Sequence, residues 1–420
     1  MSGFKNPFNV LFFLVILGLF ALSACNGAKG RSSVQPDENT QVQLLWPSLW
    51  VDDGNLYSFS NQNLSGLTSL DSFSGRFANF FMNPSLNRAH KKSSQETDKI
   101  KGVAPRTRFS LSGDGVWIPG DTLSMQLAVL YAHMQNFALL DVKVGAAEVN
   151  PWPRDIAVSV QLDQASENNA FYDADLDAML FVSYTQEGMP LSINAGVLAH
   201  EHFHSLFSKI VLKKLNKDQA KISDYKKVLL RGLNEGLADY WGWMYTGDLD
   251  FISRSLSEEK SARSLRTSSS SPIGILSSAS KINQAVELVK DEKNKEKYLL
   301  HYAYSLGNQY AKLTRLLTEQ VSVSQKINLQ QAALIVARAI VASLPDFKTQ
   351  WLALSKDQDL SPQNFFLLLA NHIEKNSSHC EFFMKVLNSA AGGSEGDRYK
   401  CDPQFQLQKI VIQENIAMNK

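Results

Sequence analysis

The spacing of hydrophobic positions changes along the chain, and the changes divide it. Near the N-terminus the run "VLFFLVILGLFALSAC", Val10 to Cys25, is apolar throughout and follows Lys5. A positive residue, an apolar core and small residues at its end make an export signal, and the run is too short to be preferred as a permanent membrane span. The stretch "NGAKGRSSVQPDENTQVQL" is polar and carries no apolar period. It predicts a flexible tether over residues 25–44, with folded protein from Leu45. Short apolar stretches then alternate with turn signals, as in "LWVDDGNLYSF" and "SGRFANFFMNP", which predicts strands joined by tight turns. The polar "NRAHKKSSQETDKIKG" predicts an exposed loop. Apolar residues three and four apart in "TLSMQLAVLYAHMQNFALL" predict a helix opening at Asp121 or Thr122. Strands are predicted in "DIAVSVQL" and "NAFYDADLDAMLFVSY". From Asn194 the pattern is helical almost to the end, broken by the Ser-rich residues 254–281, which read as a mobile surface loop. No internal repeat is present. The expected architecture is α+β: a β-rich lobe over 45–210 and a helical lobe over 211–420.

The 420 residues, 44% hydrophobic, suffice for one large or two medium domains. Lys plus Arg is 42 and Asp plus Glu is 41, a net charge of +1, which argues against a dedicated nucleic-acid binder. No block of like charge suggests a binding tail. The signal ends in Leu22-Ser23-Ala24-Cys25, which resembles a bacterial lipobox. That likeness implies removal of residues 1–24 and acylation of Cys25, giving a lipid-anchored envelope protein; an ordinary secretory signal is the alternative. Asn26, where aspartate would suggest inner-membrane retention, favours the outer membrane. Cys380 and Cys401 are then an even pair in an oxidising compartment, able to close a disulfide or to remain thiols.

The candidate chemistry is concentrated in "NAGVLAHEHFHSLF", Asn194 to Phe207, which holds three of the eight histidines. On a helix, residues four apart share a face, so His200 and His204 can reach one ion while His202 points away. Glu201 lies beside that face and can address a water on the metal. This is H-E-x-x-H, two imidazoles for Zn²⁺ and a general base. Such a short pattern arises by chance in about one chain in a hundred of this length, so a second fragment has to decide. It comes from "VLLRGLNEGLADYWGWMY", where Glu235 and Asp239 are also four apart. Glu235, 31 residues beyond His204, is a candidate third ligand. Asp239 is placed to accept the spare N–H of His200.

Together, "VLAHEHFHSLF" and "NEGLADYWG" resemble the gluzincin metallopeptidases of the thermolysin and fungalysin type. The resemblance implies a two-lobe peptidase in which His200, His204 and Glu235 bind zinc, Glu201 activates water and Asp239 supports His200. "NNAFYDADLDAMLFV" is similar to the family's edge strand, which implies that Asn169 and Ala170 contact a peptide backbone. The family's C-terminal-lobe histidine, an oxyanion donor, is matched by His301 in "LLHYAYSLGNQYAKL", although Tyr302, Ala303 and Tyr304 break the family's spacing; a structural histidine is the alternative. The likeness covers about residues 120–313, and no calcium site is expected. The implied activity is hydrolysis of peptide bonds at the cell envelope. The competing reading is a non-catalytic envelope lipoprotein that retains a peptidase-like zinc fold for binding or scaffolding.

Overall fold

The computed structural model describes residues 39–50, 57–85, 100–160, 168–215, 223–266, 287, 292–353 and 364–373. The strands are β1 (Asn39–Pro47), β2 (Tyr57–Ser65), β3 (Leu67–Ser69), β4 (Ser74–Gly75), β5 (Ala78–Ser85), β6 (Lys101–Val103), β7 (Phe109–Leu111), β8 (Trp117–Pro119), β9 (Arg154–Val160), β10 (Ala170–Asp173) and β11 (Ala178–Val182). The main helices are α1 (Thr122–Val144), α2 (Ala195–Phe207), α3 (Asp224–Thr246), α4 (Glu292–Gln325), α5 (Leu329–Ala353) and α6 (Asn364–His372). The chain is therefore α+β, with α1 set among the strands and the other main helices after them.

β1 begins at Asn39, inside the stretch expected to be tether. Thr40, Val42 and Leu44 are buried while Asn39 and Gln41 face solvent, a period of two carried largely by polar residues. β1 pairs antiparallel with β2 from Asn39↔Ser65 to Pro47↔Tyr57, and the sheet runs β2-β1-β8-β7. The five-stranded sheet runs β10-β11-β9-β5-β6, with β11, β9 and β5 mutually parallel. Helix α1 lies on the crossover from β5 to β9, the connection that parallel strands require. Both faces of the sheet centre are covered. Ile156, Val158, Met179 and Phe181 join the main core, while Ala157, Val160, Ala178 and Leu180 pack with Ile100 on the other side. That double burial explains why β11, "AMLFV", lacks alternation. The end of the expected exposed loop, residues 100–102, joins this sheet through β6.

Helix α1 opens where the pattern predicts. The Asp121 side chain accepts from Ser124 N, and Gly145 closes the helix with φ 82°. Helix α2 is capped by Asn194, whose oxygen accepts from the N–H groups of Gly196 and Val197. A single buried apolar cluster extends from Val42 to Ile373 and crosses the expected lobe boundary near residue 210. Two close approaches set the helices around α3. A Cβ on Gly242 would lie 2.4 Å from the Phe251 ring and 2.8 Å from Gly196 O of α2. A Cβ on Gly236 would lie 2.3 Å from Gly307 O of α4. Part of the expected Ser-rich loop is also ordered: residues 257–263 form helical turns and Leu265 is fully buried. Residues 267–281 lie outside the described residues.

Candidate metal centre

His200 and His204 stand one turn apart on α2, their ring centroids 4.5 Å apart and their planes crossed at 84°. An oxygen atom faces Nδ1 of each ring. His200 Nδ1 lies 2.9 Å from Asp239 Oδ1, bent off the line of a straight hydrogen bond. His204 Nδ1 lies 3.0 Å from Asn234 Oδ1. A carboxylate or amide oxygen only accepts, so a proton on Nδ1 suits each of these positions and would leave the Nε2 lone pair for a cation.

The two Nε2 atoms converge on one oxygen. Glu235 Oε2 is 3.6 Å from His200 Nε2 and 3.8 Å from His204 Nε2. These separations are too long for hydrogen bonds. They are near the edges of a coordination tetrahedron, since ligand atoms about 2.1 Å from a zinc ion sit about 3.4 Å from one another. His200, Glu201 and His204 likewise each offer a ligand atom within 4.8 Å of the others, a group that could hold a metal ion.

Arg263 completes the charge pattern from the helical turn Lys260–Arg263. Its Nη2 lies 2.6 Å from Asp239 Oδ1 and its Nε 3.2 Å from Oδ2, a bidentate pair, while Nη2 is 3.6 Å from Glu235 Oε2. Its guanidinium stands 5.1 Å from the centre of the Tyr304 ring. Burial alone would push Asp239 up, but Arg263 and His200 outweigh it and hold the carboxyl below its usual range. Three carboxylates, those of Glu201, Glu235 and Asp239, thus enter a buried site. Of the described cations, Arg263 is the one paired with them. A dication is the charge that balances this set, so the donors present fit a metal.

Glu201 is buried beside the histidines. Burial raises its carboxyl, His200 lowers it and Glu235 raises it again, leaving it pushed up to about 7. Its Oε2 accepts from Tyr172 N of β10 at 2.8 Å. β10 is the edge of its sheet and pairs with β11 on the other side, so this N–H belongs to the open edge that runs past α2. Ala170, two residues earlier, presents its main chain to the same side. Asn169 O is instead taken by Val182 N at 2.9 Å.

His200, Glu201, His204, Glu235 and Asp239 are therefore brought together, and Ala170 lies on the neighbouring edge. His301 is exposed on α4, its ring 6.3 Å from that of Tyr302, and among the described residues it shares no hydrogen bond or ion pair with the cluster. Cys25, Cys380 and Cys401 lie outside the described residues. Arg263, Asn234, Tyr172 and Tyr304 were not assigned from the sequence. Asn234 could have been found as the N of the N-E-x-x-x-D fragment, and Tyr172 from its place on the edge strand. Arg263 carried no signal, because its Ser-rich surroundings read as loop. No protein-family model matches this chain, and a search of curated proteins finds no match either.

Proposed function

We propose that the chain is a zinc-dependent peptidase similar to the gluzincins of the thermolysin and fungalysin type, held at a bacterial envelope membrane through lipidated Cys25. The observation that carries the reading is the convergence of two imidazoles, through their Nε2 atoms, on the same oxygen of Glu235. His200, His204 and Glu235 would hold the ion, with Asp239 and Asn234 fixing the imidazole tautomers. A zinc ion bound there supplies Lewis acidity toward a peptide carbonyl and a water.

The chain's own residues do the rest. Glu201 accepts a proton from the attacking water and passes it to the leaving amide nitrogen, a role suited to a buried carboxyl raised toward neutrality. The open edge of β10 offers main-chain groups at Ala170 to an extended peptide, giving affinity that does not depend on substrate sequence. Tyr304, pushed up to about 12 chiefly by burial, keeps its phenolic proton at neutral pH. Beside Arg263, its hydroxyl would serve as the donor to the developing oxyanion.

The test joins metal analysis to digestion. Purified protein is expected to carry zinc at one equivalent and to digest casein in a chelator-sensitive, zinc-restored manner. Glu201→Gln is expected to retain zinc and lose about 10²–10⁴-fold in turnover. Undiminished turnover in that variant removes the mechanism.

A further inference from the structure

The far side of α2, away from the metal face, begins a chain of polar contacts that returns to the same helix one residue earlier. His202 Nε2 lies 2.8 Å from Asp141 Oδ1 of α1, both side chains wholly buried. Asn150 Nδ2 donates to Asp141 Oδ2 at 3.1 Å. Asn150 Oδ1 in turn accepts from Arg154 Nη1 of β9 and from Lys209 Nζ, just beyond the end of α2, each at 3.3 Å. Both cations then grip Asp177 Oδ1 in the β10–β11 turn, at 3.1 Å from Arg154 Nη1 and 2.8 Å from Lys209 Nζ. The same Asp177 oxygen accepts from the Tyr172 hydroxyl at 2.8 Å, and the Arg154 guanidinium covers the Tyr172 ring at 5.5 Å. Tyr172 N closes the loop on Glu201 Oε2.

We propose that Tyr172 is a positioning residue for Glu201, fixed through its hydroxyl by the Asp177–Lys209–Arg154 cluster; this rests on the peptidase reading. The argument is one of degrees of freedom. β10 has a sheet partner on one side only, so sheet pairing alone does not fix its main chain against α2. The Tyr172 N–H that aims the Glu201 carboxylate belongs to this strand. The hydroxyl, at the far end of the same residue, is tied to Asp177, which salt bridges connect to β9 and to the end of α2. The strand and the helix that bears the general base are thereby clamped to one frame, and a displacement of about 1 Å at such a base can cost on the order of 10²-fold in rate. Metal ligation comes from the other face of α2 and from α3, so loosening the clamp leaves it intact.

Tyr172→Phe removes the hydroxyl and keeps the main-chain N–H and the ring over Arg154. Lys209→Met removes one cation of the clamp, and Lys209→Arg restores it. Two measurements test the inference: hydrogen–deuterium exchange of peptides spanning 168–174, and kcat and KM for a casein-derived peptide. Exchange in that stretch is expected to speed up at least about fivefold in Tyr172→Phe and in Lys209→Met, with α1 and α3 unchanged. In the same variants kcat is expected to fall about tenfold or more at full zinc content, a larger factor than any rise in KM from the loosened Ala170 edge. Lys209→Arg is expected to recover both. Wild-type exchange rates in both disrupting variants overturn the inference, as does accelerated exchange with undiminished kcat. A wild-type protein that digests nothing overturns the peptidase reading instead, and the exchange data then decide whether Tyr172 is held by this clamp.

Discussion

His200 and His204 are readied for a cation by what touches their other nitrogens, and this is where the metal reading is most sharply tested. Asp239 serves two partners at once, since the oxygen beside His200 Nδ1 also receives Arg263 Nη2. Asp239→Asn preserves the volume and still offers His200 an amide oxygen, but it withdraws the charge that makes the imidazole a better donor and leaves Arg263 with Glu235 alone. Such supporting partners are typically worth 10–100-fold in metal affinity. Zinc competition against a chromogenic chelator is expected to show a loss of that size in Asp239→Asn, and unchanged affinity would mean that Asp239 does not tune the ligand. Each helix's share of this centre was legible because residues four apart lie on one face; that the two pairs meet across 31 residues was implied by the family resemblance, not by spacing. Arg263 was not legible: its approach depends on where residues 257–263 turn, and nothing local in "SEEKSAR" encodes the carboxylates it meets.

For the candidate ligands to converge, α2 and α3 must pack almost backbone to backbone, and Gly242 allows it. Its missing Cβ is the space occupied by the Phe251 ring, and Gly196 O of α2 lies just behind. Gly242→Ala forces the ring and the helices to give way, at a cost of about 1–3 kcal/mol as for other overpacked cores. The displacement falls three residues from Asp239, so zinc affinity is expected to drop along with the urea midpoint. A destabilised variant with wild-type zinc affinity would show that the ligands do not depend on this contact. Elements that bury a continuous apolar stripe or run were readable from pattern, as with α1 and β11. β1 was read too short, because Thr40 sits at an inward position and its polar neighbours look like linker. The hydrogen bonding that orders the sheets, with β9 between β11 and β5, joins residues too far apart in sequence for any window to reveal.

Across the whole molecule, the strand-rich and helical parts share one core, and a buried titratable group lies where they meet. His133 of α1 is wholly buried, stacked on Trp46 of β1 at 4.2 Å, and its Nδ1 lies 2.8 Å from the Tyr245 hydroxyl of α3. Burial pushes this imidazole down to about 3, so it is neutral in the fold, whereas the unfolded chain protonates it near 6.5. The sign follows from proton counts: below 6.5 the unfolded state binds the extra proton, so the contribution of His133 is fully present above 6.5 and is lost as pH falls toward 3. Glu201 in metal-free protein works the other way between about 7 and 4.5, because its raised carboxyl is easier to bury once protonated. The informative quantity is therefore a difference, in which every other titration cancels. Phenylalanine can keep the stack on Trp46 and has no proton to gain, and Asn136 still donates to Tyr245. Urea unfolding of wild-type and His133→Phe proteins, both stripped of metal, is expected to show the wild type losing about 2.3 kcal/mol relative to the variant between pH 6.5 and 4.5, the slope approaching about 1.36 kcal/mol per pH unit at the acid end. A stability difference that stays flat over that range would mean that His133 is free to take up its proton within the fold, and that the junction between the two halves is open to water.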